Sequence, residues 1–213
     1  MVFYDREDAG QKLGRELRRL SLRDPLVLGI PRGGVVTGAE LAKTIGADFD
    51  VVLAHKLRCP WNPEFAIGAV GEDGQPMVDR AVVRRLNVSD EDLQRECQQQ
   101  VEEINRRKRL FRGVRPPAEI AGRSVIVTDD GVATGSTMLA ALQVVRQRGP
   151  AELIVAVPVA PQDCLPAIRG KCDRLVCLQA ATEFYAVGEF YRWFEPTTDE
   201  EVVEILREFA PAA

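Results

Sequence analysis

The chain has 213 residues, 46% of them hydrophobic and 28% charged, enough to bury a substantial core in one domain. Its net charge of −4 argues against sequence-independent nucleic-acid binding, which needs clustered positive charge. No apolar run approaches a membrane span, and the acidic start MVFYDREDAG lacks the features of a signal peptide. Five cysteines (Cys59, Cys97, Cys164, Cys172 and Cys177), with no CxxC pair, fit reduced, mostly buried thiols of a cytoplasmic protein better than disulfides or a zinc site.

Leucines at helical spacing predict an amphipathic helix over Gly10–Leu20. Pro25–Ile30 reads as a short buried strand, Pro31–Gly34 as a break, and Val35–Ile45 as a helix stopped by Gly46. Asp50–Ala54 is a second buried strand ending at His55–Lys56. Leu57–Glu64 (LRCPWNPE) reads as a loop, since two prolines and an isolated Trp61 suit neither strand nor helix. Phe65–Val70, the GEDG turn and PMVDRAVV predict a hairpin.

Ser89, followed by Asp90, Glu91 and Asp92, caps a long helix with an apolar stripe of Leu93, Cys97, Val101, Ile104 and Phe111. Its basic end, Arg106–Arg109, is a solvated terminus in favour with the helix dipole, with a nucleic-acid patch as the weaker alternative. After Pro116–Pro117 come strand Ser124–Thr128, a loop over Asp129–Thr137, and a helix to Arg148. Strands over Glu152–Val157 and Asp173–Cys177 flank a short helix at Cys164–Ile168, and a last helix begins at Asp199. Alternating buried strands and helices predict parallel βαβ units.

The stretch VIVTDDGVATGSTM carries the chemistry. A loop running from a strand into a helix N-terminus offers free amides and a positive dipole end to a phosphate, and Thr134, Ser136 and Thr137 add hydroxyls. A capped helix after a polar turn is the plainer alternative. Neither GxxxxGK[ST] nor GxGxxG is present. Asp129 and Asp130 would repel a phosphate set against them, so they suit another part of the same ligand. Carboxylates accept from paired ribose hydroxyls, and the arrangement describes a cradle for ribose 5-phosphate.

VIVTDDGVATGST resembles the signature of type I phosphoribosyltransferases, and a looser likeness extends from about Leu26 to Leu178. The resemblance implies an α/β fold: a doubly wound, mostly parallel sheet with a hairpin and long-helix insertion at about 65–117. A hood would form from about 179–213 and the N-terminal segment, all within a single domain over 1–213. It implies 5-phosphoribosyl 1-pyrophosphate (PRPP) as ligand, with Asp129 and Asp130 on the ribose. Gly131, Val132, Ala133, Thr134, Gly135, Ser136 and Thr137 would hold the 5-phosphate.

Arg32, Gly33 and Gly34 match by position the family's pyrophosphate loop, and Lys56 could neutralise pyrophosphate. His55 reads as a strand-end residue more than a catalyst. Magnesium bridging the pyrophosphate is the implied cofactor, and Arg32, Lys56, Asp129 and Asp130 are the implied catalytic set. Leu57–Glu64 matches the family's flexible loop and is expected to be a mobile lid.

Hypoxanthine-guanine enzymes of the family carry an aspartate inside the phosphate loop; Ala133 stands there instead. DDGVATGST is closer to the adenine branch, but the long helix and the tail are not. Phe184, Tyr185 and Val187 fall where the hood binds the acceptor, although the aromatic run serves equally as core or dimer packing. The reading is a phosphoribosyltransferase acting on a small nitrogenous, nucleobase-like acceptor, as a cytoplasmic homodimer. Its alternative is a PRPP- or nucleotide-sensing regulator without turnover.

Overall fold

The computed structural model describes residues 2–210, with the backbone alone for Pro63 and Glu64. Five parallel strands form the central sheet: β1 (Leu26–Gly29), β2 (Asp48–Val51), β6 (Ser124–Thr128), β7 (Glu152–Pro161) and β8 (Arg174–Ala181). Their spatial order is β2-β1-β6-β7-β8. β1 and β6 are buried at every position, as unbroken apolar runs are when both sheet faces are covered. Side chains alternate between two cores: Val125 and Val127 pack with Met138, Leu142 and Val145, whereas Ile126 packs with Leu13, Val35 and Val202.

The first of these cores lies under α5 (Ser136–Gln147) and α6 (Leu165–Arg169). The second lies under α1 (Arg6–Leu17), α2 (Gly33–Ile45) and α7 (Asp199–Glu208). From β1 the chain steps outward to β2, then returns to place β6 on the other side of β1. The strand order therefore reverses between β1 and β6. Loops leaving the carboxyl ends of these two strands flank a crevice, the usual place for a ligand in such sheets.

Between β2 and β6 the chain leaves this sheet. β3 (Ala54–Cys59), β4 (Asn62–Gly71) and β5 (Pro76–Val78) make a separate antiparallel sheet. It is followed by α3 (Arg80–Arg85) and α4 (Asp90–Arg112), the latter capped by Ser89 as expected. Leu57, Cys59, Ile67, Val70, Val83, Leu93 and Ile104 give this unit its own core.

The expected loop over Leu57–Glu64 is instead part of a β-hairpin. Arg58 pairs with Ala66 and Cys59 with Asn62, while Leu57 and Cys59 are buried. The prolines are tolerated for local reasons. Pro60 lies beyond β3, in the tip beside exposed Trp61, and Pro63 lies outside the reach of β5, which pairs only with Gly68–Val70. Register shifts between Leu57 and Cys59 absorb the uneven spacing.

Two smaller expectations also shift. The second strand ends at Val51, and His55 and Lys56 belong to β3. Of PMVDRAVV, only Pro76–Val78 is strand, because the Asp79 carboxylate accepts from the Ala81 and Val82 amides and starts α3.

Arg112 fastens the insertion to the main sheet. Its guanidinium donates to Glu72 Oε1 at 2.6 Å, Glu72 Oε2 at 2.7 Å and Asp50 Oδ1 at 2.7 Å, all largely buried. At the basic end of α4, Arg106 pairs with Glu103 and with Asp199 of α7, and Arg107 also pairs with Glu103. All five cysteines are free thiols. Among the described residues, no helix is long and apolar enough to cross a membrane.

Candidate functional site

Asp129 and Asp130 follow the end of β6, at the reversal point. The Asp130 amide donates to Asp129 Oδ1 at 2.9 Å. Asp129 keeps a little surface but is packed round by protein on nearly all sides. Burial, then the charge of Asp130, pushes its carboxyl well above the usual carboxylate range. Arg6 Nε meets Asp130 Oδ2 at 2.7 Å, and the Tyr191 hydroxyl donates to the Asp130 carbonyl.

The first glycine loop lies directly against these acids. A Cβ at position 33 would sit 1.8 Å from Asp130 Oδ2, and one at position 34 would sit 2.8 Å from Asp129 Oδ1. Only glycines permit that approach. Arg32 is exposed at the N-cap of α2, after a cis Pro31–Arg32 peptide.

The second loop closes at Gly135, whose φ of 80° is glycine's territory and which caps α5. Ser136 begins that helix, Thr134 Oγ1 lies 2.8 Å from Ser136 Oγ, and Lys56 Nζ donates to the same oxygen at 3.2 Å. The insertion thus delivers Lys56 to the end of the loop. Val132 is buried, while Ala133 and Thr137 are exposed.

Beside this loop lies a cavity of about 250 Å³ lined by Pro31, His55, Lys56, Arg58, Arg107 and Thr137, among others. His55 Nδ1 is 2.9 Å from Gln100 Oε1, and Gln100 Nε2 donates to Glu96 at 3.1 Å. That second bond orients the amide, so Nδ1 is the donor to Gln100. Burial lowers the His55 pKa, partly opposed by the Gln100 bond.

Residues 5–192 match the phosphoribosyl transferase domain family. The chain belongs to the phosphoribosyl transferase family. Two Mycobacterium tuberculosis proteins, each named "Putative phosphoribosyl transferase", are 41% identical to it over 215 residues, 99% of this chain. The chain spans about half the length of these curated relatives, 48% of each. The crystal structure of TT1426 from Thermus thermophilus superposes with a TM-score of 0.93 at 44% identity, covering 99% of this chain and 100% of that one.

In this phosphoribosyl transferase chain, the aromatic tail divides. Phe184 is half-buried and stacks on Phe190, with centroids 5.4 Å apart, whereas Tyr185 is 86% exposed. Val187 packs over Gly131, where a Cβ would come within 2.5 Å of it. Phe3, Ala9 and Tyr191 form a small core with Phe190 and Phe194, and backbone bonds between Phe3 and Arg192 and between Tyr4 and Trp193 join the tail to the N-terminus.

Sequence reasoning passed over Arg6 and Tyr191, both of which touch Asp130. A signal for Arg6 was present. It is a cation in the first turn of α1, beside Glu7 and Asp8, where the helix dipole disfavours positive charge.

Proposed function

We propose that this chain is a phosphoribosyltransferase that transfers ribose 5-phosphate from PRPP to a small nitrogenous acceptor and releases pyrophosphate. One observation carries the reading: an adjacent acid pair at the strand-order reversal, with a phosphate-type loop on one side and a glycine loop against its carboxylates on the other. In this reading Asp129 and Asp130 accept from the ribose hydroxyls, and Gly131–Thr137 receives the 5-phosphate at the N-terminus of α5. Arg32, Gly33, Gly34 and Lys56 face the pyrophosphate.

Cleavage at C1 builds positive charge on the ribose and negative charge on the leaving pyrophosphate. The acids favour the first, and Arg32, Lys56 and the loop amides favour the second. Among the described residues no three His, Cys, Asp or Glu side chains gather as a metal site. A two-carboxylate donor set suits magnesium carried on the substrate's own oxygens, where it would neutralise charge on the pyrophosphate.

The hood would be the segment from about 179 with the N-terminal segment, and Phe184 and Val187 its acceptor-facing residues. Exposed Tyr185 would serve only by folding inward on a bound acceptor. The same proposal includes a cytoplasmic homodimer.

The test is calorimetry with PRPP and magnesium, followed by a ribosylation assay over a panel of bases. Asp129→Asn with Asp130→Asn should weaken PRPP by about 2–4 kcal/mol, the loss of two charge-assisted hydrogen bonds. Unchanged affinity in a folded double variant removes the ribose assignment. Tight PRPP binding with no base ribosylated favours a sensor.

A further inference from the structure

Arg6 is held more tightly than a surface residue of a helix's first turn needs to be. Its side chain is 11% exposed. Nη1 donates to the Glu195 carbonyl at 2.6 Å, and the guanidinium carbon lies 3.8 Å from the centre of the Phe194 ring. Those two contacts alone would staple the N-terminus to the tail. The third, Nε to Asp130 Oδ2, reaches across 124 positions into the proposed ribose site and buries an ion pair there. Burying charge costs desolvation that a staple could avoid with apolar groups.

We propose that Arg6 is a positioning residue for ribose: it holds the Asp130 carboxylate in one orientation against Gly33, ready to accept from a hydroxyl. The inference rests on the ribose assignment above. A carboxylate has about four acceptor positions, so the single Arg6 bond leaves capacity for the ligand. Asp129 neighbours Asp130 in the acid pair, and Arg6 is the cation against Asp130 at 2.7 Å. Tyr191 from the tail touches the same residue, and the glycine loop brings Gly33 against its carboxylate.

Removing Arg6 leaves the Asp130 carboxylate free to turn away from a hydroxyl, so affinity for PRPP should fall while affinity for a ligand without ribose should not. The experiment is calorimetry on Arg6→Gln, Arg6→Lys, Phe194→Leu and Asp130→Asn, with PRPP and with pyrophosphate, both as magnesium complexes, beside their melting temperatures. Arg6→Gln should weaken PRPP by about tenfold, one charge-assisted bond's worth. Its pyrophosphate affinity should stay the same. Arg6→Lys should recover most of the PRPP affinity, and Phe194→Leu, which removes the stack but leaves the charge, should keep it.

A purely structural Arg6 predicts that Arg6→Gln and Phe194→Leu behave alike, with lowered melting temperatures and equal PRPP affinities; that result overturns the proposal. Should Arg6→Gln not fold, a loss of PRPP affinity in Phe194→Leu as large as that in Arg6→Lys overturns it instead. If Asp130→Asn binds PRPP as the wild type does, the ribose assignment has failed. If Asp130→Asn weakens PRPP while Arg6→Gln does not, only the role of Arg6 has failed.

Discussion

Asp129→Asn should stabilise the protein while damaging its site. Asparagine is nearly the same shape and keeps the Oδ1 acceptor for the Asp130 amide, now 2.9 Å away. It removes a carboxyl whose ionisation is opposed by burial and by Asp130. The unfolded chain releases this proton near the ordinary value of 3.8, whereas the folded chain holds it to higher pH. The stability that Asp129 contributes is thus complete below about pH 3.8 and is lost as pH rises through the folded value.

The asparagine variant has no such loss. Its melting temperature should match the wild type near pH 4 and exceed it at higher pH. Relief of a buried like-charge contact is worth about 1 kcal/mol, or about 2–4 °C for a domain of this size. Differential scanning fluorimetry over that range, without ligand, measures the difference directly. A difference that is flat with pH, or negative at pH 8, refutes the account of Asp129 as a carboxyl whose ionisation is opposed by its surroundings.

Gly33→Ala should abolish tight PRPP binding, because the new methyl would stand 1.8 Å from Asp130 Oδ2 and 3.0 Å from Arg6 Nε, forcing their ion pair apart. Gly113→Ala, with 3.4 Å to its nearest neighbour, is the control, and equal PRPP affinities for the two would contradict the described packing. Arg112→Met should cost about 3–5 kcal/mol in urea unfolding, since it strands Asp50 and Glu72 as uncompensated buried carboxylates; a loss below about 1 kcal/mol would show that the clamp is dispensable.

The central sheet was legible because its signals are local. Leu26–Gly29 and Ser124–Thr128 are apolar runs too short for helices, each delivered into a glycine turn, and both are interior strands. The Ser89 cap and the glycine stop at Gly46 act within a few residues of themselves, and both fell where expected. Asp129 and Asp130 were singled out because the family resemblance and the chemistry of a carboxylate beside a phosphate loop point the same way, and the structure sets them at the strand-order reversal.

What escaped depends on contacts across long separations. The residues from Leu57 to Glu64 carry loop chemistry, and nothing local says that Leu57 and Cys59 will be buried. Their burial comes from Val83, Leu93 and Ile104 on helices that appear only later in the chain. The same holds for Lys56. As the end of a buried strand it would have been fixed to the sheet, but as part of β3 it rides on the insertion and still reaches Ser136. Two parts of the site are therefore supplied from outside the parallel sheet: Lys56 through the hairpin and Arg6 through α1. The acids and the loop amides are set by the sheet itself. A change in the insertion, such as loss of the Arg112 clamp, should consequently loosen the proposed pyrophosphate side through Lys56 while leaving the proposed ribose side, held by Arg6 and Tyr191, largely as it was.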